Sequence, residues 1–329
     1  MQDIDNSLYY DVIFLMESNF QENIIAFMRK TLFPSANCLV VDARPKHFII
    51  NGTDYHFNVS RSGGNKHALL FSLIRQCKLP HLVTAHFIVP YPTSNFFVLE
   101  KHVSYSSLSI FDDGLGTLMG LVSPGFFQQR LYMKLRWYAK KILYALFNIN
   151  LQNDFLFLKG VSQYYSVYPE IKIPDVLDIK VTHLNYLEVA SPRGILPNEI
   201  GFIGYPPGKI SDQIQSAFEH FIRSCYKNHY RKIIYFPHPR EDLAHLANIK
   251  DCIILVRPEM TFEEYLRTHP IPENIIAPFS SVLVNLKTMN IKGLKLFYVD
   301  LYQGNAFPEI KKCYQLFGQM NIPEWNNDR

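Results

Sequence analysis

Apolar and polar positions in the second half of the chain alternate in a pattern that predicts strands and helices in turn. Short apolar runs rich in β-branched and aromatic residues predict strands at residues 200–204, 232–236, 252–256, 275–277 and 294–299. Apolar residues recur at helical spacing over Asp212–His229, preceded by Ser211 as an N-cap. This alternation predicts βαβ units and a parallel sheet with helices on both faces.

The first half of the chain shows a similar alternation. Its patterns predict strands at 12–16, 38–42 and 107–111, helices at 21–29 and 65–77, and a hairpin at 47–59 that turns at Asn51-Gly52.

A loop that contains proline and glycine, residues 191–197, lies between the two halves. We therefore predict an N-terminal domain over 1–192 and a C-terminal domain over 193–329. The fold class is α/β, with two Rossmann-like doubly wound domains facing a central cleft. Ligands bind in such folds at the carboxyl ends of the parallel strands.

Composition narrows the possible functions. The chain has 329 residues, of which 48% are hydrophobic, enough for two buried cores. A net charge of +4 is too small for a dedicated nucleic-acid binder, so we expect no nucleic-acid partner. The five cysteines lack metal-binding spacing, which indicates a reducing compartment and no metal site.

The acidic, polar N-terminus does not resemble a signal peptide, and the longest uncharged stretch contains three prolines, which disfavour a membrane-spanning helix. We expect a cytoplasmic protein.

The first chemical motif follows the predicted strand at 107–111. The strand runs directly into Asp112, Asp113 and Gly114. A carboxylate at the carboxyl end of a parallel strand can act as a general base, and glycine lets a ligand approach the backbone closely. The alternative is that Asp113 only caps the following helix.

The second motif follows the predicted strand at 232–236. His238 stands between Pro237 and Pro239, which restrict the backbone on both sides. A histidine held in this way can donate a hydrogen bond or a proton to a departing phosphate. The alternative is an ordinary loop with Pro239 at the first helical position.

The third motif follows the predicted strand at 275–277. Ser280 and Ser281 open a helix there, where backbone N–H groups and two hydroxyls meet. Such a helix start can bind a phosphate without a metal or a lysine. The alternative is simple N-capping by one of the serines.

In this order, the three motifs resemble the D/E-D/E-G, His-Pro and Ser-Ser motifs of bacterial sialyltransferases of the GT-B type, in glycosyltransferase families 52, 80 and 38. The interval from His238 to Ser280 is similar to that of these enzymes, and Phe262-Glu263 resembles their Phe-Glu segment. The resemblance covers about residues 107–286. Chain length favours family 52, which acts on lipooligosaccharide or related surface glycans, and the capsule polysialyltransferases are an alternative. The first hundred residues resemble no family, so the acceptor stays open.

The resemblance implies the GT-B architecture and an inverting, metal-independent transfer of sialic acid from CMP-sialic acid to a glycan or glycolipid, with no cofactor. It implies that the N-terminal domain supplies the base and that the C-terminal domain binds the donor. Asp112 is our preferred base, with Asp113 as the alternative. His238 would stabilise the departing CMP, and Glu263 would bind the ribose. The residues expected at the site are Asp112, Asp113, Gly114, His238, Pro239, Glu263, Ser280 and Ser281.

Two alternatives remain for the function. Other CMP-linked ulosonic acids, such as Kdo, legionaminic acid or pseudaminic acid, would suit the same motifs. A module that binds a nucleotide or a glycan without catalysis is the alternative from another class.

Residues 126–147 predict one long helix with a basic face. This face carries five cations and no acids, and two aromatic residues lie among them. The pattern fits either a peripheral contact with the inner membrane or a solvated basic surface. The seven residues are Arg130, Lys134, Arg136, Trp137, Lys140, Lys141 and Tyr144.

Overall fold

The computed structural model describes most of the chain, and the described residues form two compact units. The N-terminal unit spans Met1–Leu184 and the C-terminal unit spans Asn185–Arg329, so the division lies eight residues before the predicted one. Described are residues 7–42, 47–51, 56–60, 81–90, 94–112, 141, 145, 154–168, 178–187, 192–204, 212–229, 231–238, 241–256, 260–302 and 308–325.

The N-terminal unit is built on an eight-stranded sheet in the order β4-β3-β2-β1-β5-β6-β7-β8. The six neighbouring strands β2, β1, β5, β6, β7 and β8 run parallel. Strand β3 pairs antiparallel with β2, and β4 pairs antiparallel with β3 to form the predicted hairpin. The strands are β1 (Ser7–Met16), β2 (Cys38–Asp42), β3 (His47–Asn51), β4 (His56–Ser60), β5 (His81–Val89), β6 (Val103–Phe111), β7 (Gln163–Ser166) and β8 (Lys180–His183).

Three helices of this unit are described: α1 (Asn19–Thr31), α2 (Ser94–Glu100) and α3 (Asp154–Lys159). Helix α1 begins with a capping box, in which the Ser18 hydroxyl accepts from the Gln21 backbone N–H and the Gln21 side chain accepts from the Ser18 backbone N–H. Buried aromatic rings join helices and sheet, since Phe96 of α2 lies 5.7 Å from Phe87 of β5 and 4.9 Å from Phe157 of α3. Aromatic burial of this kind dominates the stability of a core.

The C-terminal unit contains a five-stranded, all-parallel sheet in the order β11-β10-β9-β12-β13. The strands are β9 (Ile195–Ile203), β10 (Ile233–Phe236), β11 (Ile253–Leu255), β12 (Ile271–Ala277) and β13 (Lys295–Tyr298). The helices are α4 (Asp212–His229), α5 (Phe262–Thr268), α6 (Ser281–Met289) and α7 (Pro308–Gln319), with a 3₁₀ segment at Leu243–Cys252. The order of strands in space reverses between β9 and β12, as in a doubly wound fold.

Two features of β9 allow the C-terminal sheet to pack tightly. Phe202 is fully buried and stacks on Tyr235 of β10, with ring centroids 5.6 Å apart, while Phe218 of α4 covers it at 5.4 Å. At Gly201, a Cβ atom would lie 2.8 Å from the Ile275 side chain and 2.9 Å from that of Pro272. Only glycine therefore lets the apolar side chains of β12 approach β9 this closely.

The structure confirms the predicted α/β class with two Rossmann-like units. The predicted strands of both halves are present, and helix Asp212–His229 has the predicted bounds. Sequence analysis missed strands β5, β7 and β8 and gave no bounds for helices α2, α3, α5 and α7. No helix among the described residues is long and apolar enough to cross a membrane. The predicted helix at 65–77 lies outside the described residues, as does that at 126–147 apart from helical Lys141 and Ala145.

Candidate functional site

The candidate site in the C-terminal unit lies at the carboxyl edge of its sheet. Adjacent strands β10, β9 and β12 end there, and they are followed by His238, Gly204 and Ser280 respectively. The reversal of strand order between β9 and β12 falls at this edge, which is where ligands bind in doubly wound folds. Two of the three predicted motifs therefore follow the strands that flank β9 on either side.

Ser280 and Ser281 lie at the start of α6. Ser280 is the N-cap, and its hydroxyl accepts a hydrogen bond of 3.2 Å from the Val282 N–H. Both serines are half-buried. The nine-residue helix presents its N–H groups and the positive end of its dipole at the carboxyl edge. N-capping is thus the observed role of Ser280, and it leaves the helix start suited to an anion.

Glu263 lies in the first turn of α5 and is buried, with 4% of its surface exposed. One of its oxygens, Oε1, accepts a hydrogen bond of 2.5 Å from Nδ2 of Asn285 on α6. Burial raises the pKa of Glu263 above its usual value, although the Asn285 hydrogen bond lowers it. The Glu263 carboxyl is therefore oriented by the same helix that begins at Ser280.

Aromatic contacts join α5 to the end of β10. The rings of Phe262 and Tyr265 lie 5.0 and 5.4 Å from that of Phe236, which immediately precedes Pro237 and His238. Helix α5 is thus in contact with both β10 and α6. These contacts place His238, Glu263 and the two serines along the carboxyl edge of the C-terminal sheet.

His238 is half-buried, and its backbone is fixed by Glu241. The His238 N–H donates to Glu241 Oε2 over 2.7 Å, and the Glu241 N–H donates back to the His238 carbonyl over 2.9 Å. Sequence analysis assigned no role to Glu241, although a carboxylate three residues after a turn residue is a known means of closing a turn. Pro239 lies outside the described residues.

Asp112 follows β6 in the N-terminal unit and is completely buried. One oxygen accepts a hydrogen bond from the Tyr164 hydroxyl, and the other accepts one of 2.5 Å from the Val167 N–H. The neighbouring strand β7 and the residue after it supply the donors of these two hydrogen bonds, and the role of Asp112 as the base stays a prediction. Asp113 and Gly114 lie outside the described residues, so their roles stay predictions.

Burial raises the pKa of Asp112 to about 7, although hydrogen bonds from Tyr164, Val167 and Ser166 and the charge of His183 lower it. Within the described ranges, no group of three or more His, Cys, Asp or Glu side chains is arranged to hold a metal ion.

The raised pKa of Asp112 predicts a pH dependence of stability. Between the usual pKa of 3.8 and about 7, the folded protein keeps a proton that the unfolded chain has lost, so stability falls as pH rises through this window. We expect the free energy of unfolding of the wild type, relative to Asp112→Asn, to fall over this window and to level off above it. Urea titrations at successive pH values measure this difference in the free energy of unfolding.

Tyr164→Phe removes a hydrogen bond that lowers the pKa of Asp112, so the pH range over which stability falls should extend upward. A pH-independent difference between wild type and Asp112→Asn would contradict the assignment.

Comparison with known proteins shows similarity in structure but not in sequence. No protein-family model matches the chain, and no curated protein sequence matches it significantly. The α/β-galactoside α-2,3-sialyltransferase of the luminous marine bacterium Photobacterium phosphoreum is 15% identical, with a TM-score of 0.50 and 98% of each chain covered. The GT-B domain of a Photobacterium damselae sialyltransferase is 12% identical, with a TM-score of 0.47, covering 97% of this chain and 100% of the other. A UDP-GlcNAc 2-epimerase from Methanocaldococcus jannaschii is 10% identical, with a TM-score of 0.44, covering 94% and 92%. The similarity to the P. phosphoreum enzyme shows that this chain has the fold of that protein, and its two Rossmann-like α/β units agree with the fold predicted from the sequence.

Proposed function

We propose that the protein is an inverting glycosyltransferase that moves sialic acid from CMP-sialic acid to a bacterial surface glycan, in lipooligosaccharide or capsule. The observation that carries the proposal is the meeting of His238, Glu263 and Ser280 at one carboxyl edge, beside the reversal of strand order. The fold similarity to a protein described as a sialyltransferase supports it. The order and spacing of the three motifs resemble those of sialyltransferases, and this resemblance is the basis for naming CMP-sialic acid as the donor.

The carboxyl edge offers groups suited to each part of CMP. The N-terminus of α6 and the hydroxyls of Ser280 and Ser281 can hold the phosphate, because helix N–H groups and the helix dipole favour an anion there. Glu263 can accept hydrogen bonds from the ribose hydroxyls, and Asn285 orients its carboxyl group. Only 4% of the Glu263 surface is exposed, so a ribose can contact Glu263 only at that small exposed part.

The proposed transfer is a single displacement. The bond between the anomeric carbon and the phosphate oxygen breaks, and its electron pair leaves with CMP. The oxygen of the acceptor hydroxyl forms the new bond, and its proton passes to a carboxylate base. His238 and the N-terminus of α6 stabilise the charge that develops on the departing phosphate. In this scheme these groups do what a metal ion does in other transferases, so the reaction needs no metal or cofactor.

The burial of Asp112 favours Asp113 as the base. A general base must come within hydrogen-bond distance of the proton that it removes, and both oxygens of Asp112 already accept hydrogen bonds inside the protein. Asp113 is the remaining acid of the motif. Asp112 then serves to fix the end of β6 against Tyr164 of β7.

The identity of the donor sugar, the presence of catalysis and the location of the protein each need an experiment of their own. Kdo, legionaminic acid and pseudaminic acid donors share the CMP group, so only a comparison of donors distinguishes them from sialic acid. A non-catalytic binding module would bind CMP without turnover. The cytoplasmic location and the peripheral inner-membrane contact through residues 126–147 stay predictions, because this segment lies almost entirely outside the described residues.

The first test is release of CMP from CMP-sialic acid in the presence of EDTA. We expect turnover by the wild type, and a loss of about a hundredfold or more in His238→Ala, because one positioned donor to the departing phosphate is gone. His220→Ala, which removes an exposed histidine on α4, is the matched control and should keep full activity. Absence of turnover with any CMP-linked acidic sugar, or an active His238→Ala variant, would refute the proposal.

The second test separates the two acids. Asp113→Asn should abolish transfer while CMP affinity is unchanged, because the base acts on the acceptor. Asp112→Asn should keep measurable transfer, because it alters only the support of the motif. Single-turnover transfer rates and calorimetric CMP titrations measure both. Full activity in Asp113→Asn together with none in Asp112→Asn would return the role of base to Asp112.

A further inference from the structure

Glu241 is a buried carboxylate at the carboxyl edge of the C-terminal sheet to which the proposed reaction assigns no part. Only 7% of its surface is exposed. Its Oε1 accepts from the Tyr235 hydroxyl and lies 3.0 Å from His245 Nε2, while Oε2 accepts from the His238 N–H. Burying an ionised carboxylate costs much free energy unless it is paired and hydrogen-bonded. These contacts supply that compensation.

The two hydrogen bonds between His238 and Glu241 close a ring. One runs from the His238 N–H to the carboxylate over 2.7 Å, and the other from the Glu241 N–H to the His238 carbonyl over 2.9 Å. The first is assisted by charge, and such bonds are about twice as strong as neutral ones. The turn that carries His238 is therefore tied to a carboxylate anchored in the core by Tyr235.

Gly204, the residue after β9, makes room for this arrangement. A Cβ atom there would overlap Glu241 Oε2 and would lie 2.9 Å from the His238 nitrogen. The Gly204 N–H donates to the Phe236 carbonyl over 2.7 Å, which keeps the ends of β9 and β10 together. Any larger residue at 204 would push the carboxylate or the turn out of place.

His245 lies between the Glu241 carboxylate and the Asp242 backbone. Its Nε2 faces Glu241, and its Nδ1 lies 2.5 Å from the Asp242 carbonyl oxygen, so both ring nitrogens face acceptors. Burial lowers the pKa of His245, but the hydrogen bonds to Glu241 and to the Asp242 backbone, with the charges of both acids, together raise it above the usual value. Glu219 of α4 lies close enough for the two charges to interact.

We propose that Glu241 is a positioning residue for the transfer reaction: it holds the turn that presents His238 to the departing phosphate. Tyr235 and His245 orient the carboxylate, and Gly204 leaves the space that it occupies. The inference rests on the proposed function. Its physical basis is that a small misplacement of a catalytic group lowers the rate of the chemical step more than substrate binding.

The experiment combines donor turnover with hydrogen exchange of the His238 amide. In Glu241→Ala we expect kcat to fall roughly ten- to a hundredfold, KM for the donor to change less than threefold, and the amide to lose its protection. Glu241→Gln keeps an acceptor for that amide and should recover most of kcat. Gly204→Ala should lower kcat and amide protection while every side chain of the motif is retained.

The control removes a similar contact in the other unit. Tyr105 donates a hydrogen bond of 2.9 Å to Glu100, so Glu100→Ala removes the carboxylate of a comparable Tyr–carboxylate pair without touching His238. Its kcat should match that of the wild type.

Unchanged kcat and amide protection in Glu241→Ala would overturn the inference. If that variant does not fold, the same result in Gly204→Ala overturns it. A wild type without turnover would refute the proposed function, and amide exchange would still decide whether Glu241 holds the turn.

Discussion

The carboxyl edge of the C-terminal sheet depends on the close approach of β9 and β10 at Gly204. The hydrogen bond from the Gly204 N–H to the Phe236 carbonyl holds the two strand ends together, and the missing side chain at 204 leaves space for the Glu241 carboxylate. That carboxylate fixes the backbone of His238. The position of His238 therefore follows from packing between strands as well as from the flanking Pro237.

The two units use the same device to fix the chain after a strand. In each, a buried carboxylate accepts one hydrogen bond from a tyrosine hydroxyl and one from a backbone N–H. Asp112 takes them from Tyr164 and Val167, and Glu241 takes them from Tyr235 and His238. The clusters differ in charge compensation. His245 lies within ion-pair distance of Glu241, whereas burial is the largest influence on Asp112 and raises its pKa.

Much of the fold could be predicted from the sequence because periodicity records which side of an element is buried. The helix over Asp212–His229 has a clear apolar stripe, and its buried residues include Phe218 and Ile222. Strand β5 and helix α2 were missed because they lie in an uncharged stretch with no clear period. Strands β7 and β8 were missed because they are four residues long and partly polar.

The motif residues could be located at strand ends, but their environments could not. Two consecutive acids in an extended chain give no local signal of which side chain is buried, and the burial of Asp112 depends on Tyr164, fifty-two positions away. The contact of Glu241 with Gly204 likewise joins separate parts of the chain. Such contacts become visible only when the strand order is known.

The most direct test of the account is a crystal structure of the protein with bound CMP. We predict that the phosphate lies at the N-terminus of α6 within hydrogen-bond distance of Ser280 or Ser281 and of the His238 side chain, with a ribose hydroxyl on Glu263. The Gly204–Glu241–His238 contacts should be unchanged by the nucleotide. CMP bound elsewhere on the protein, with the carboxyl edge of the C-terminal sheet unoccupied, would contradict the account.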